Sequence, residues 1–160
     1  MKPILINNLE IAKSQEKLSG EIDTHHCERL AEVLDVANQD KLKIDYALSG
    51  SASKFHIPSM ELTIDAVLPV VCQRCLEVMQ LNISLAFEYV VSKSEPEEFD
   101  GYDDIDWLEA SREMNISELI EDELLIAMPL APTHAHDCKP IKLESGEKHN
   151  PFAALKGLIK

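Results

Sequence analysis

The stretch PVVCQRCLEVMQL, Pro69 to Leu81, sets Cys72 and Cys75 on either side of Gln73 and Arg74. Two thiols at this spacing can share one metal ion, act as a redox dithiol, or lie reduced in a core. Dithiol catalysis wants a helix after the first cysteine, so that its dipole lowers the thiol pKa. Here LEVMQLNISLAF follows, which alternates like a turn and a strand, and the dithiol reading falls away. A CxxC turn between strands is half of a tetrahedral zinc site. The candidates for the other half lie in PTHAHDC: His134, His136 and Cys138. Cys72, Cys75 and Cys138 with one histidine, His134 or His136, would complete a Cys3His set and fill all four positions of a structural zinc. In sequence, 62 residues separate Cys75 from Cys138. The turn at Pro129–Pro132 would therefore have to fold back over the strand pair. The plainer alternative needs no fold-back: Cys72 closes a strand, Cys75 sits in a turn, and both stay reduced. The sequence leaves both open.

Other reactive types are sparser. His25, His26 and Cys27 gather at a helix start and read as a solvated helix terminus, and His56 and His149 have no partner nearby in sequence. There is no Gly-rich phosphate loop, no Ser/His/Asp spacing and no nucleophile on a strained turn. The many carboxylates fall on a loop and on the outer face of one helix, where solvation is the expected state.

The elements that must position these residues follow from periodicity. KLSGEI, Lys17 to Ile22, reads as a short strand. THHCERLAEVLDVANQ reads as a helix from about Thr24 to Asn38, with Thr24 as N-cap and Leu30, Val33, Leu34 and Ala37 as its stripe. Three period-2 runs come next, through Leu42–Leu48, Leu62–Leu68 and Leu81–Tyr89. They predict an antiparallel meander with one buried face, and the CxxC pair falls between the last two. Ser92 to Asp104 predicts an acidic loop. IDWL fits a strand or a helical turn. NISELIEDELLIA predicts a helix over Asn115–Ala127, with Asn115 and Glu118 as a capping pair, an apolar stripe of Ile116, Leu119, Ile120, Leu124 and Ala127, and Pro129 as the stop. NPFAALKGLIK predicts a short closing helix. The expected fold is α+β, an antiparallel sheet packed by two main helices. Residues 1–138 form one domain and 139–160 a tail.

The chain has 160 residues and a net charge of −14. From Glu95 to Glu123 there are 13 acidic residues and one basic, Arg112, while Lys139 to Lys160 has five lysines against Glu144 and Glu147. A nucleic-acid binder normally presents a broad basic surface, because phosphate neutralisation supplies most of the affinity. This chain lacks one. It suits a basic protein partner better than bare RNA. The N-terminus, MKPILINNLE, lacks the apolar run of a signal peptide, and no stretch is apolar and long enough for a membrane span. A cytoplasmic protein is expected, with thiols or metal ligands rather than disulfides.

The order of these motifs resembles the YceD family: CQRCLE on a hairpin, an acidic linker, ELIEDELLIAMPLAPTH followed by a cysteine, and NPFAALKGL at the close. These are bacterial large ribosomal RNA subunit accumulation proteins with relatives in plastids, and the likeness runs from about Lys17 to Lys160. It implies a role in synthesis, processing or stability of the 23S rRNA and no catalytic activity. Many relatives carry a fuller second cysteine cluster, where this chain has Cys138 alone with His134 and His136. The function expected is a non-enzymatic ribosome-biogenesis factor that meets a basic ribosomal protein or pre-50S particle. Glu97, Glu98, Asp103 and Asp104 would contact the partner. Arg74, Lys142, Lys148, Lys156 and Lys160 are the expected phosphate contacts, for weak rRNA binding. The competing class is a metal-dependent rRNA-processing enzyme, which would need an open metal position and a placed carboxylate.

Overall fold

Alternation of apolar and polar residues becomes a sheet with one wet face and one dry face. In the computed structural model, residues 3–14, 16–23, 26–34, 42–54, 56–96 and 105–141 are described, with backbone alone at 52–54. Strand β1 (Leu5–Ile6) leads into helix α1 (Asn8–Ser14). Then follow β2 (Lys17–Ile22), α2 (Glu28–Val33), β3 (Lys43–Lys54), β4 (Ile57–Val71), β5 (Val78–Ser92), β6 (Ile105–Glu109), β7 (Met114–Asn115) and α3 (Ile116–Ala127). The main sheet has the order β2-β3-β4-β5-β6. Its first four strands are an antiparallel meander, and β6 joins β5 in parallel. β1 and β7 pair separately. The fold is α+β.

Register explains the core. Ile44 faces Ala66 and Ala66 faces Ile83; Tyr46, Ile64 and Leu85 form the next row; Leu48, Leu62 and Phe87 the next. These rows are buried on β3 and β4 and half-buried on β5. Ile11 and Ala12 of α1, Leu30 of α2, and Ile116, Ile120 and Leu124 of α3 pack into the same core. Each fully buried large aliphatic side chain contributes roughly 1.5–3 kcal/mol. On β2, Gly20 pairs with Tyr46, and a Cβ there would lie 3.0 Å from the tyrosine ring. Glycine lets the ring approach that strand closely, and a larger residue would require the ring to shift by a few tenths of an ångström. The opposite face is wet, and Glu21, Asp45 and Asp65 stand directly across from one another on it.

Several expectations change. The helix predicted from Thr24 to Asn38 is the short α2, and Leu34 after it is already extended. Thr24, His25 and residues 35–38 of that span lie outside the described residues. Cys27, not Thr24, takes the N-cap position, with no side-chain cap of its own. It is also fully buried rather than solvated. Burial together with the Glu121 and Asp23 charges pushes its thiol up to about 12, so it is inert at neutral pH. IDWL resolves as strand β6. Helix α1 carries too short an apolar pattern to be read from sequence. Ala127, expected in the buried stripe of α3, is exposed. The capping pair holds: Asn115 Oδ1 accepts from Ser117 N, and Asn115 Nδ2 donates to Glu118 Oε1 at 3.0 Å. Pro129 forces Met128 out of the helical region, which ends α3. The predicted closing helix and residues 97–104 of the acidic loop lie outside the described residues. Among the described residues, no helix is long and apolar enough to cross a membrane.

Candidate metal centre

The β4–β5 connection is a tight knuckle. Leu76 N donates to Cys72 O at 2.8 Å, and Cys72 N donates to Glu77 O at 2.9 Å. The turn closes through Leu76 at φ 60°, a left-handed position that a leucine adopts at a cost of roughly 1–2 kcal/mol. The result turns the Cys72 and Cys75 sulfurs to one side, and both residues are buried.

The segment after α3 folds back onto that knuckle. Gln73 N donates to Pro132 O at 2.8 Å, and Ile141 N donates to Arg74 O at 3.3 Å. Arg74 holds the segment from within. Its Nη2 donates to His134 O at 2.9 Å and His136 O at 2.8 Å, and its Nε donates to Cys138 Sγ at 2.9 Å. Asp137 adds an ion-pair contact at 3.7 Å. The fold-back required by a zinc site is therefore present.

Cys72, Cys75, His134 and Cys138 converge, with their ligand atoms all within 4.8 Å of one another. The Cys72 and Cys138 sulfurs are 3.8 Å apart, and Cys75 Sγ is 3.4 Å from His134 Nδ1. A tetrahedral zinc with bonds of about 2.3 Å to sulfur and 2.0–2.1 Å to nitrogen needs S–S edges of about 3.8 Å and S–N edges of about 3.6 Å. The Cys72–Cys138 and Cys75–His134 separations lie close to those edges. The sulfur–sulfur distance is far longer than the ~2.05 Å of a disulfide, and all four cysteines are free. His136, the other histidine considered, is exposed and lies outside the set, with its ring centroid 4.6 Å from that of His134 and the two planes tilted by 39°.

The electrostatics suit a cation. Burial alone would raise the Cys72 thiol. Backbone N–H groups of Cys75, Arg74 and His134 and the neighbouring Cys75 thiol outweigh it and bring the thiol down to about 5. For Cys75, a backbone hydrogen bond at Glu77 lowers the pKa, but burial and the adjacent Cys72 and Cys138 sulfurs prevail and raise it. One thiolate thus forms readily, and the rest gain from a shared positive charge. β5 rather than a helix follows Cys75, so no helix dipole primes dithiol chemistry.

The remaining expected site residues separate. Arg74, read as a phosphate contact, has its guanidinium turned into the fold-back segment. Its place inside the CxxC pair was the signal for that role. Glu97, Glu98, Asp103, Asp104, Lys142, Lys148, Lys156 and Lys160 lie outside the described residues. The acids of α3 are not all solvated as expected. Glu121 is buried, accepting from Leu30 N at 3.0 Å and from Arg29 Nε at 3.0 Å, and so caps α2 in place of the uncapped Cys27. Glu123 accepts from the buried Tyr89 hydroxyl at 2.9 Å.

A family model described as large ribosomal RNA subunit accumulation protein YceD matches residues 60–159. That span contains the knuckle, α3 and the fold-back segment. A protein of that name from Haemophilus influenzae is 25% identical, over 98% of this chain and 95% of its own length. No solved structure matches the chain. With more than half of its residues matched by the family model, the chain belongs to the YceD family.

Proposed function

We propose that this protein is a non-enzymatic cytoplasmic factor for assembly of the large ribosomal subunit, supporting synthesis, processing or stability of the 23S rRNA. Family membership carries the ribosomal part of this reading. The convergence of Cys72, Cys75, His134 and Cys138 carries the rest. These four side chains would hold a structural zinc. The ion would tie the segment after α3 to the β4–β5 knuckle and so fix the acidic helix against the sheet. Catalytic zinc sites keep a position open for water or substrate, whereas three thiolates and one imidazole fill a tetrahedron. That closed set argues against the metal-dependent processing enzyme.

The partner we propose is a basic ribosomal protein or a pre-50S particle, met by the acidic stretch that includes Glu97, Glu98, Asp103 and Asp104. The excess of negative charge between Glu95 and Glu123 supports it. Sucrose-gradient profiles of cells lacking the protein test the reading. A deficit of 50S subunits and of 23S rRNA is expected, restored by the wild-type gene. Unchanged 50S and 23S levels would refute it.

A further inference from the structure

Three cations from distant parts of the sequence line one cleft. Lys13 lies in the last turn of α1, Lys93 just past β5, and Arg112 in the connection between β6 and β7. The cleft encloses about 680 Å³. All three side chains are exposed, and none forms an ion pair with another described residue. Glu10 is the one carboxylate among the described residues that line it, and its Oε2 accepts from Asn7 Nδ2 at 3.1 Å.

The walls are fixed to each other by a buried polar residue. Asn8, fully buried at the start of α1, donates through Nδ2 to Glu109 O at 2.9 Å and accepts through Oδ1 from Ser111 N at 2.8 Å. Its backbone N donates to Ser111 O at 3.2 Å. A buried amide satisfied in this way locks α1 against the loop that carries Arg112. In a chain of net charge −14, three cations gathered in one concave site, without an ion pair among the described residues, point to an anionic ligand.

We propose that this cleft binds the phosphate backbone of single-stranded RNA, an inference that rests on the ribosomal RNA reading above. Successive phosphates along a flexible strand can meet cations on separate walls. Asn7, Ser14 and Ser111 supply further polar groups for phosphate and sugar oxygens. Among the described residues that line the cleft the groups offered are cationic, polar and aliphatic, which suits phosphate contact rather than base readout. The cleft adds cations to the phosphate contacts expected from sequence, and these were hidden there by their separation along the chain.

The test is fluorescence anisotropy of a labelled single-stranded polyuridine against salt. The three cleft contacts, at about 0.7 each, should contribute about −2 to the log–log slope of the wild-type association constant. Lys13→Glu with Arg112→Glu should weaken binding and make the slope shallower by about 1.4. Lys43→Glu with Lys139→Glu changes the net charge equally at exposed positions away from the cleft and should leave the slope unaltered. The milder Lys13→Gln, Lys93→Gln, Arg112→Gln variant should make the slope shallower by about 2 and guards against misfolding. Absent wild-type binding at low salt, equal losses in the Lys43/Lys139 control, or displacement by polyglutamate or pyrophosphate as readily as by RNA at matched ionic strength would each overturn the proposal. Those outcomes are independent of the 23S deficit in depleted cells, so cleft and ribosomal role can fail separately.

Discussion

Replacing Cys138 by serine isolates the clamp. If zinc joins the knuckle to the fold-back segment, it cross-links a loop in which 62 residues lie between Cys75 and Cys138. The chain-entropy relation gives about 4 kcal/mol for closing a loop of roughly 60 residues in the unfolded state. That figure is a ceiling, since Gln73, Arg74 and Ile141 also tie the segment by hydrogen bonds. For a chain of this size, 1 kcal/mol corresponds to about 2–4 °C, so Cys138→Ser should lower Tm by at most roughly 8–16 °C. Without metal the same change replaces a half-buried thiol, and less than about 1 kcal/mol is expected. The assay is thermal unfolding followed by circular dichroism, with and without a chelator. Chelation should lower the wild-type Tm to near that of the variant and leave the variant unchanged. A Tm shift below about 2 °C, with no chelator effect on the wild type, would refute the clamp.

Three further outcomes are expected. Glu121→Ala removes the acceptor for Leu30 N and the partner of Arg29, and urea unfolding should show a loss of about 1–3 kcal/mol; a loss under about 0.5 kcal/mol would contradict its capping role. Leu76→Gly relieves roughly 1–2 kcal/mol of left-handed strain at φ 60° against an unfolded-state entropy cost of about 0.4–1 kcal/mol, and should raise stability by up to about 1 kcal/mol in the same assay, whereas a decrease would mean that the leucine side chain matters more than the backbone. Burial first, then the Asp106 and Asp122 charges, hold the Glu123 pKa above its ordinary value against the Tyr89 hydrogen bond, which lowers it. Its protonated form therefore favours the folded state, a contribution present below the unfolded pKa and lost as pH rises through the folded one. Glu123→Gln should be more stable than wild type at neutral pH, with the difference shrinking as pH falls through the carboxylate range; a pH-independent difference would contradict the shift.

What the sequence made legible follows from physical range. Period-2 alternation depends on neighbouring residues alone, so β2 to β5 were readable from Leu18 to Tyr89. The start of α3 was readable because Asn115 and Glu118 act within one turn. The parallel docking of β6 was hidden, because five residues carry no sign of which edge they join. Helix α2 was overestimated: its apolar stripe suggested a longer helix, yet its N-terminus is capped from α3 by Glu121, a contact across 91 positions that no local pattern encodes. The metal set was half visible. Cys72 and Cys75 announce themselves by spacing, and His134 and Cys138 by type. The choice of His134 over His136 depends on the fold-back that Arg74 enforces through two carbonyl contacts. The cleft of Lys13, Lys93 and Arg112 left no trace in sequence, because topology alone assembles it.

The central structural claim is that Cys72, Cys75, His134 and Cys138 hold one closed zinc. Elemental analysis of protein purified without added metal tests it most directly. The account predicts about one equivalent of zinc in the wild type and a marked loss in Cys138→Ser. Less than about a tenth of an equivalent in the wild type would contradict it and leave the four side chains as a cluster of reduced thiols beside a histidine.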